Sequence, residues 1–355
     1  MSNRSILLSV ALACAATATA PLSAQKPAAP PVAQDEVLAW PPPPAPARIK
    51  WVAEYRNAFD VGAKKKRSFI DRLAGKSEEV IWIQRPLSVA VDGQGVIFVG
   101  DYNLGVVAMD PANKKVWAFS AVSGAVLTTP TGLAVDSKLV YAASANTSQV
   151  VVFDKDGRQL GVLGKADGIK RPVGLAVDES RNLLVVVNGD EHAVRLYSRS
   201  LNLIKTIGGR GSEEGQFNFP TYVCMVPGVG FAVVDSGNFR VQLFDFNGRF
   251  LRAFGKVGDM AGQFARPKGI AVDPEGHLYV ADAAFNNFQI FDQEGRVLTF
   301  VGQGGARKGQ FQVPTGLSID ANGGIYVADQ INGRIQKFQY LREEKEAPAP
   351  GPTPQ

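Results

Sequence analysis

The chain has 355 residues, 45% of them hydrophobic and 20% charged, which is the balance of a soluble globular protein. Its formal charge of +5 is spread evenly along the sequence and is too small for a nucleic-acid footprint, so no nucleic-acid partner is expected. Two cysteines, Cys14 and Cys224, exclude a disulfide-framed scaffold.

Residues 1–24 have the plan of a secretory signal peptide: Arg4, an apolar run from Ile6 to about Ala16, and small residues closing at Leu22-Ser23-Ala24. The run is too short to span a bilayer, so no transmembrane segment is expected. Cleavage after Ala24 would leave an exported chain, periplasmic or secreted, with Cys224 as its one cysteine. A rival is lipidation of a new N-terminal Cys14, but Ala11-Leu12-Ala13-Cys14 lacks the branched residue that lipoprotein signals prefer three positions earlier. Residues 25–47 are dominated by Pro and Ala, including the four prolines 41–44, and read as an extended, semi-rigid linker without a core. Residues 48–56 contain the alternating stretch Arg48-Ile49-Lys50-Trp51-Val52-Ala53-Glu54-Tyr55, a strand that precedes any repeat. The basic run Lys64-Lys65-Lys66-Arg67 reads as a solvated loop. Residues 68–75 read as one or two helical turns between a Ser68 N-cap and Gly75.

From Pro86 onward the chain repeats. Gly215-Gln216-Phe217, Gly262-Gln263-Phe264 and Gly309-Gln310-Phe311 recur at a spacing of 47 residues. A proline opens a strand at 86, 130, 172, 220, 267 and 314, which makes six units. The fifth unit shows the plan most clearly: four short apolar runs, with Asp273-Pro274-Glu275-Gly276 and Asp292-Gln293-Glu294-Gly295 as hairpin loops between them. Such a unit cannot bury its own faces and needs copies on either side. Four strands at periods of roughly 40–50 residues are the signature of an all-β propeller, here six-bladed with four-stranded antiparallel blades. Small residues at Gly132, Gly174, Gly269 and Gly316 fit innermost strands, where blades converge. Phe217, Phe264 and Phe311 fit as wedges between blades, and Cys224 stands where the fifth unit has Ala271, as a small buried residue.

The sixth unit supplies three strands and then runs into a Pro-rich tail at 343–355, expected to be disordered. The strand at 48–56 is therefore expected to be the missing outer strand, closing the ring and covering an exposed edge. The propeller then spans 48–342.

Asp235-Ser236-Gly237-Asn238-Phe239-Arg240-Val241-Gln242 and Asp329-Gln330-Ile331-Asn332-Gly333-Arg334-Ile335-Gln336 resemble the NHL-repeat family, as does the Gly-Gln-Phe…Pro-x-Gly-Ile-Ala-Val-Asp opening of the fifth unit. The resemblance covers about residues 85–338. It implies a six-bladed propeller that serves as a binding platform. The arginine of the motif is Gly105, Gln149, Ala193 and Asn287 in the other units, which must hold their loops differently. The repeated Asp and Arg read as scaffold, since a carboxylate ending the second strand can accept backbone N–H bonds and pair with an arginine.

Function on a repeat scaffold belongs where the units differ, on the loops of one rim. The crossover and second-to-third-strand loops share a face. They bring Arg85, Arg171, Arg266 and Lys268 together with Tyr102, Asn103, Glu191, His192, Phe285, Asn286 and Gln330. This rim of cations, amides and aromatics is expected to bind an anionic ligand or another envelope or secreted protein, with the propeller a monomer and no cofactor. The alternative is an enzyme: some metal-dependent propeller lyases and lactonases resemble this repeat and hold a metal by several His or carboxylates beside the channel. Here only His192 and His277 are available, and His277 falls on the opposite face. A calcium ring of Asp101, Asp235, Asp282 and Asp329 would be broken by Ser144 and Asn188. No catalytic residue and no metal ligand is assigned.

Overall fold

The structure, a computed structural model, describes residues 38–63, 80–119 and 127–342. The secretion signal, the basic run at 64–67, the helical turns expected at 68–75 and the tail at 343–355 lie outside the described residues.

The described chain folds into six antiparallel sheets. Each blade begins at a proline, and the inner strands are Pro86–Val91, Pro130–Val135, Pro172–Asp178, Pro220–Val226, Pro267–Val272 and Pro314–Ile319. Proline suits the first position of a strand, where no ladder N–H is required. Every inner strand packs against the inner strand of the next blade, and the sixth packs against the first, which closes the ring. The second strands, such as Ile97–Asp101 and Leu278–Asp282, are buried along their whole length because a blade lies on each side of them. Outer strands alternate instead: in Val297–Val301, Leu298 and Phe300 face solvent.

The core lies between blades rather than within one. Phe217 packs with side chains of blades three and four, Phe264 with those of blades four and five, and Phe311 with those of blades five and six; all three are fully buried. Their rings lie over Gly208, Gly255 and Gly302, where an added Cβ would come within 2.4–2.5 Å of the ring and φ is +95°, +92° and +97°. Only glycine meets both demands.

The closing strand is Ile49–Tyr55, paired antiparallel with Arg334–Tyr340 so that Trp51 lies opposite Phe338. Side chains reinforce the seam: Trp51 Nε1 donates to Gln336 Oε1 at 3.1 Å, and Arg334 Nη1 to Glu54 Oε2 at 2.6 Å. Burial opposes the charge on Glu54, but bonds from Arg56 and Arg334 outweigh it and hold the carboxyl below its ordinary range. One part of the linker expectation is corrected. Residues Ala39–Trp40 form a fifth strand beside Lys50 and Ile49, and Trp40 meets Phe338 edge-on at 5.6 Å. A tryptophan with an apolar face on offer buries it whatever prolines surround it.

A cationic mouth closed by one tyrosine

The loops that join second and third strands are fixed by the residue ending the second strand. In blade one, Gln84 and Arg85 N–H donate to Asp101 Oδ2 at 2.9 and 2.7 Å, while Asn103 N–H donates to Oδ1 at 2.9 Å. Asp282 does the same for Ala265, Arg266 and Ala284 in blade five. In blades four and six the motif arginine joins in: Arg240 Nε donates to Asp235, and Arg334 Nε to Asp329, both at 2.8 Å. Blade three, which lacks that arginine, uses a different set. Asn188 Oδ1 accepts from Lys170 and Arg171 N–H, and its Nδ2 donates to Glu191, which also pairs with Arg195 at 2.8 Å. In blade two Ser144 donates to Thr128 O. These carboxylates are therefore spent on the backbone. Among the described residues, no group of three His, Cys, Asp or Glu is placed to hold a metal ion.

The residues before the opening prolines alternate in kind around the ring, and five of the six line the channel on this face. Blades one, three and five present Arg85, Arg171 and Arg266; blades two, four and six present Thr129, Phe219 and Val313. The latter three hold left-handed φ values of +57°, +48° and +58°, which β-branched and bulky side chains rarely adopt. Two of these strained positions are held by side chains of the preceding blade: Phe219 N–H donates to His192 Nδ1 at 3.0 Å, and Val313 N–H to Asn286 Oδ1 at 2.9 Å.

On this face lies a cavity of about 410 Å³ lined by Arg85, Arg171, Arg266, Lys268 and Gln330, with Phe219 and the threonines 131, 221 and 315. The structure thus brings five of the eleven rim residues to one pocket. The other six stand elsewhere. Tyr102 is stacked by the Arg85 guanidinium at 5.0 Å and Asn103 donates to Gln84 at 2.8 Å, both outside the cavity wall. Glu191, His192 and Asn286 are committed to the scaffold contacts just described, and Phe285 caps the Asp282 loop with its N–H at 3.3 Å.

The electrostatics of this mouth are unbalanced. Arg171 pairs with Asp190 at 3.2 Å at an exposed site, but among the described residues Arg266 and Lys268 have no carboxylate partner. Burial first, then repulsion from Arg266 and Arg171, push the Lys268 ammonium below its ordinary range. A half-buried lysine facing two guanidinium groups costs free energy unless an anion arrives to offset it.

Sequence reasoning missed the floor. Tyr222 lines this cavity and also a second chamber of about 230 Å³ further along the axis. Its hydroxyl lies 2.7 Å from Leu87 O in blade one and 2.9 Å from Thr131 O in blade two, and donates across the two carbonyls. Burial pushes the phenol well up, so it stays a neutral donor. The signal was present: at two residues past the opening proline, the other units carry Ser88, Gly132, Gly174, Gly269 and Gly316. Cys224 lines the second chamber, where burial pushes its thiol up to about 12, so it is not a nucleophile at neutral pH.

Residues 264–291 and 311–338 match the NHL repeat. No curated protein matches the sequence. Among solved structures, a protein of unknown function from Bacteroides thetaiotaomicron is similar at a TM-score of 0.56 and 19% identity, over 72% of this chain and 70% of that one. A streptogramin B lyase is similar at 0.55 and 11% identity, over 73% and 94%. The virginiamycin B lyase of Staphylococcus aureus is similar at 0.54 and 12% identity, over 73% and 96%. At these identities the likeness is one of fold.

Proposed function

The chain carries NHL repeats in a six-bladed β-propeller, and on that premise we propose that it is an exported binding module that takes an anionic ligand at one mouth of its channel. The carrying observation is Lys268, half-buried beside Arg171 and Arg266 in a cavity where no described carboxylate is among the lining residues. The cavity is concave, mixed in polarity and rimmed by backbone held in strained conformations, the features that mark ligand sites on rigid scaffolds. Export rests on the plan of residues 1–24.

The lyase neighbours make an enzyme the competing reading. This mouth offers cations and hydroxyls, a set suited to holding negative charge and orienting it, and no carboxylate or imidazole general base stands among the lining side chains. Binding is accordingly the reading that the side chains favour. Titration calorimetry with inorganic pyrophosphate tests it. The wild type should bind, Arg171→Glu/Arg266→Glu should lose at least tenfold in affinity, and affinity should fall steeply with salt. Equal binding by the two proteins, or none by the wild type, would remove the proposal.

A further inference from the structure

At two residues past the opening proline the blades converge, and in four of them the next blade leaves no room for a side chain. A Cβ on Gly132 would lie 2.1 Å from Val173 O, on Gly174 2.5 Å from Thr221 O, on Gly269 2.0 Å from Thr315 O, and on Gly316 2.7 Å from Ser88 Cα. Blade one manages with Ser88, whose hydroxyl donates to Pro130 O at 2.9 Å. Blade four alone carries a large residue, Tyr222, and sends it across the axis to blades one and two.

The consequence is a partition. On one side of the ring of Tyr222 stand Lys268, the rim arginines and the threonine hydroxyls. On the other stands a chamber of mixed lining, where aliphatic residues such as Val135, Val177, Met225 and Ile319 alternate with Ser88 and Ser318. Without the tyrosine the two would be one tube, charged at one end and mixed in polarity along its length. Such a tube would suit an amphiphile, with an anionic head at the lysine and an alkyl tail down the axis.

We propose that Tyr222 is the specificity-determining residue of the anion site, and that it restricts the ligand to a compact phosphate- or carboxylate-bearing molecule by closing the second chamber to any tail. This rests on the reading of the mouth as an anion site, and it names what that site admits. The side chain acts through its position: the ring itself blocks the passage, with its hydroxyl donating to Leu87 O and Thr131 O.

The test is the ratio of dissociation constants for methyl phosphate and hexyl phosphate. In the wild type the hexyl tail gains nothing from the chamber, so the ratio should be about 1. In Tyr222→Gly, which copies the residue of four other blades, the tail can descend. Against a lining of mixed polarity the tail gains the equivalent of about two buried methylenes at ~0.8 kcal/mol each, which should raise the ratio to roughly 15 in favour of hexyl phosphate. Tyr222→Phe keeps the ring and should keep a ratio near 1, and Tyr222→Ser, which copies blade one, gives the same opening should the glycine variant fail to fold. A ratio near 1 in both the glycine and serine variants would overturn the assignment while leaving the anion site standing. Absence of methyl phosphate binding to the wild type would instead take the anion reading down, and this inference with it.

Discussion

Arg334 offers a measurable comparison, because the same motif occurs twice in different surroundings. Its Nε donates to Asp329, its Nη2 donates to Arg307 O and Gln310 O, each at 2.8 Å, and its Nη1 reaches Glu54 on the closing strand at 2.6 Å. Arg240 makes the first three contacts in blade four, to Asp235, Glu213 O and Gln216 O, but has no counterpart to Glu54. The side chains are 1% and 16% exposed respectively. Removing one partner of a buried pair costs about 3–5 kcal/mol, because the remaining charge and carbonyls are left unmet. Arg334→Ala should fall in that range, and Arg240→Ala should cost about half as much, since water reaches its site. Glu54 is 29% exposed, so Glu54→Ala alone should cost about 1 kcal/mol. The Glu54/Arg334 double-mutant cycle should return a coupling of about 1–2 kcal/mol. In calorimetric melts each kcal/mol corresponds to about 2–4 °C. The coupling should also fade in acid. Glu54 titrates below its ordinary value when folded, so its contribution is present above that value and lost as pH falls through the folded one. Equal melting of the two alanine variants, or a coupling of zero at neutral pH, would refute the idea that this arginine fastens the ring.

Other outcomes can be checked on the same footing. Gly269→Ala places a methyl 2.0 Å from Thr315 O and should cost at least about 3 kcal/mol, whereas Gly93→Ala meets nothing within 4 Å and should shift stability by less than about 0.5 kcal/mol in urea titrations. Phe311→Ala empties the wedge between blades five and six and should cost about 3–5 kcal/mol. His277 Nδ1 lies 2.9 Å from the buried Asp273 Oδ2, and this bond, with burial opposing and the nearby charges of Asp273, Glu275 and Asp292 assisting, raises the imidazole above its ordinary pKa. Its contribution is therefore complete below pH 6.5 and disappears as pH rises through the folded value, so the stability gap between wild type and His277→Gln should narrow in alkaline melts.

The repeat was legible because its constraints are local. Prolines 86 to 314, the hairpin glycines and the Gly-Gln-Phe wedges each impose one conformation, and their spacing counts the blades. The closing strand was legible for a different reason: a sixth blade with three strands leaves an edge, and one alternating strand stood unclaimed. The Ala39–Trp40 strand was hidden by its neighbours, since the prolines around it argue for a spacer and only the apolar face near Phe338 argues otherwise. At the mouth, reading the loops as one rim grouped Arg85, Arg171, Arg266, Lys268 and Gln330, which line one cavity. It could not separate residues that face the cavity from those that support it. His192 and Asn286 look like polar loop residues in sequence, yet each aims its ring or amide at a backbone N–H of the next blade. Tyr222 escaped because it lies inside an inner strand, where a large residue reads as core until the axis is in view.

The seam of the sixth blade also decides how the ring would come apart under load. Ile49 lies opposite Tyr340, and Leu341 N–H donates to Arg48 O, so the incoming and outgoing chain meet at the same end of one strand pair. A pull between residues 48 and 341 would open that ladder like a zipper, one rung after another, instead of shearing all rungs together. The fold that closes most tightly from within is thus joined where tension from its two ends can part it most easily.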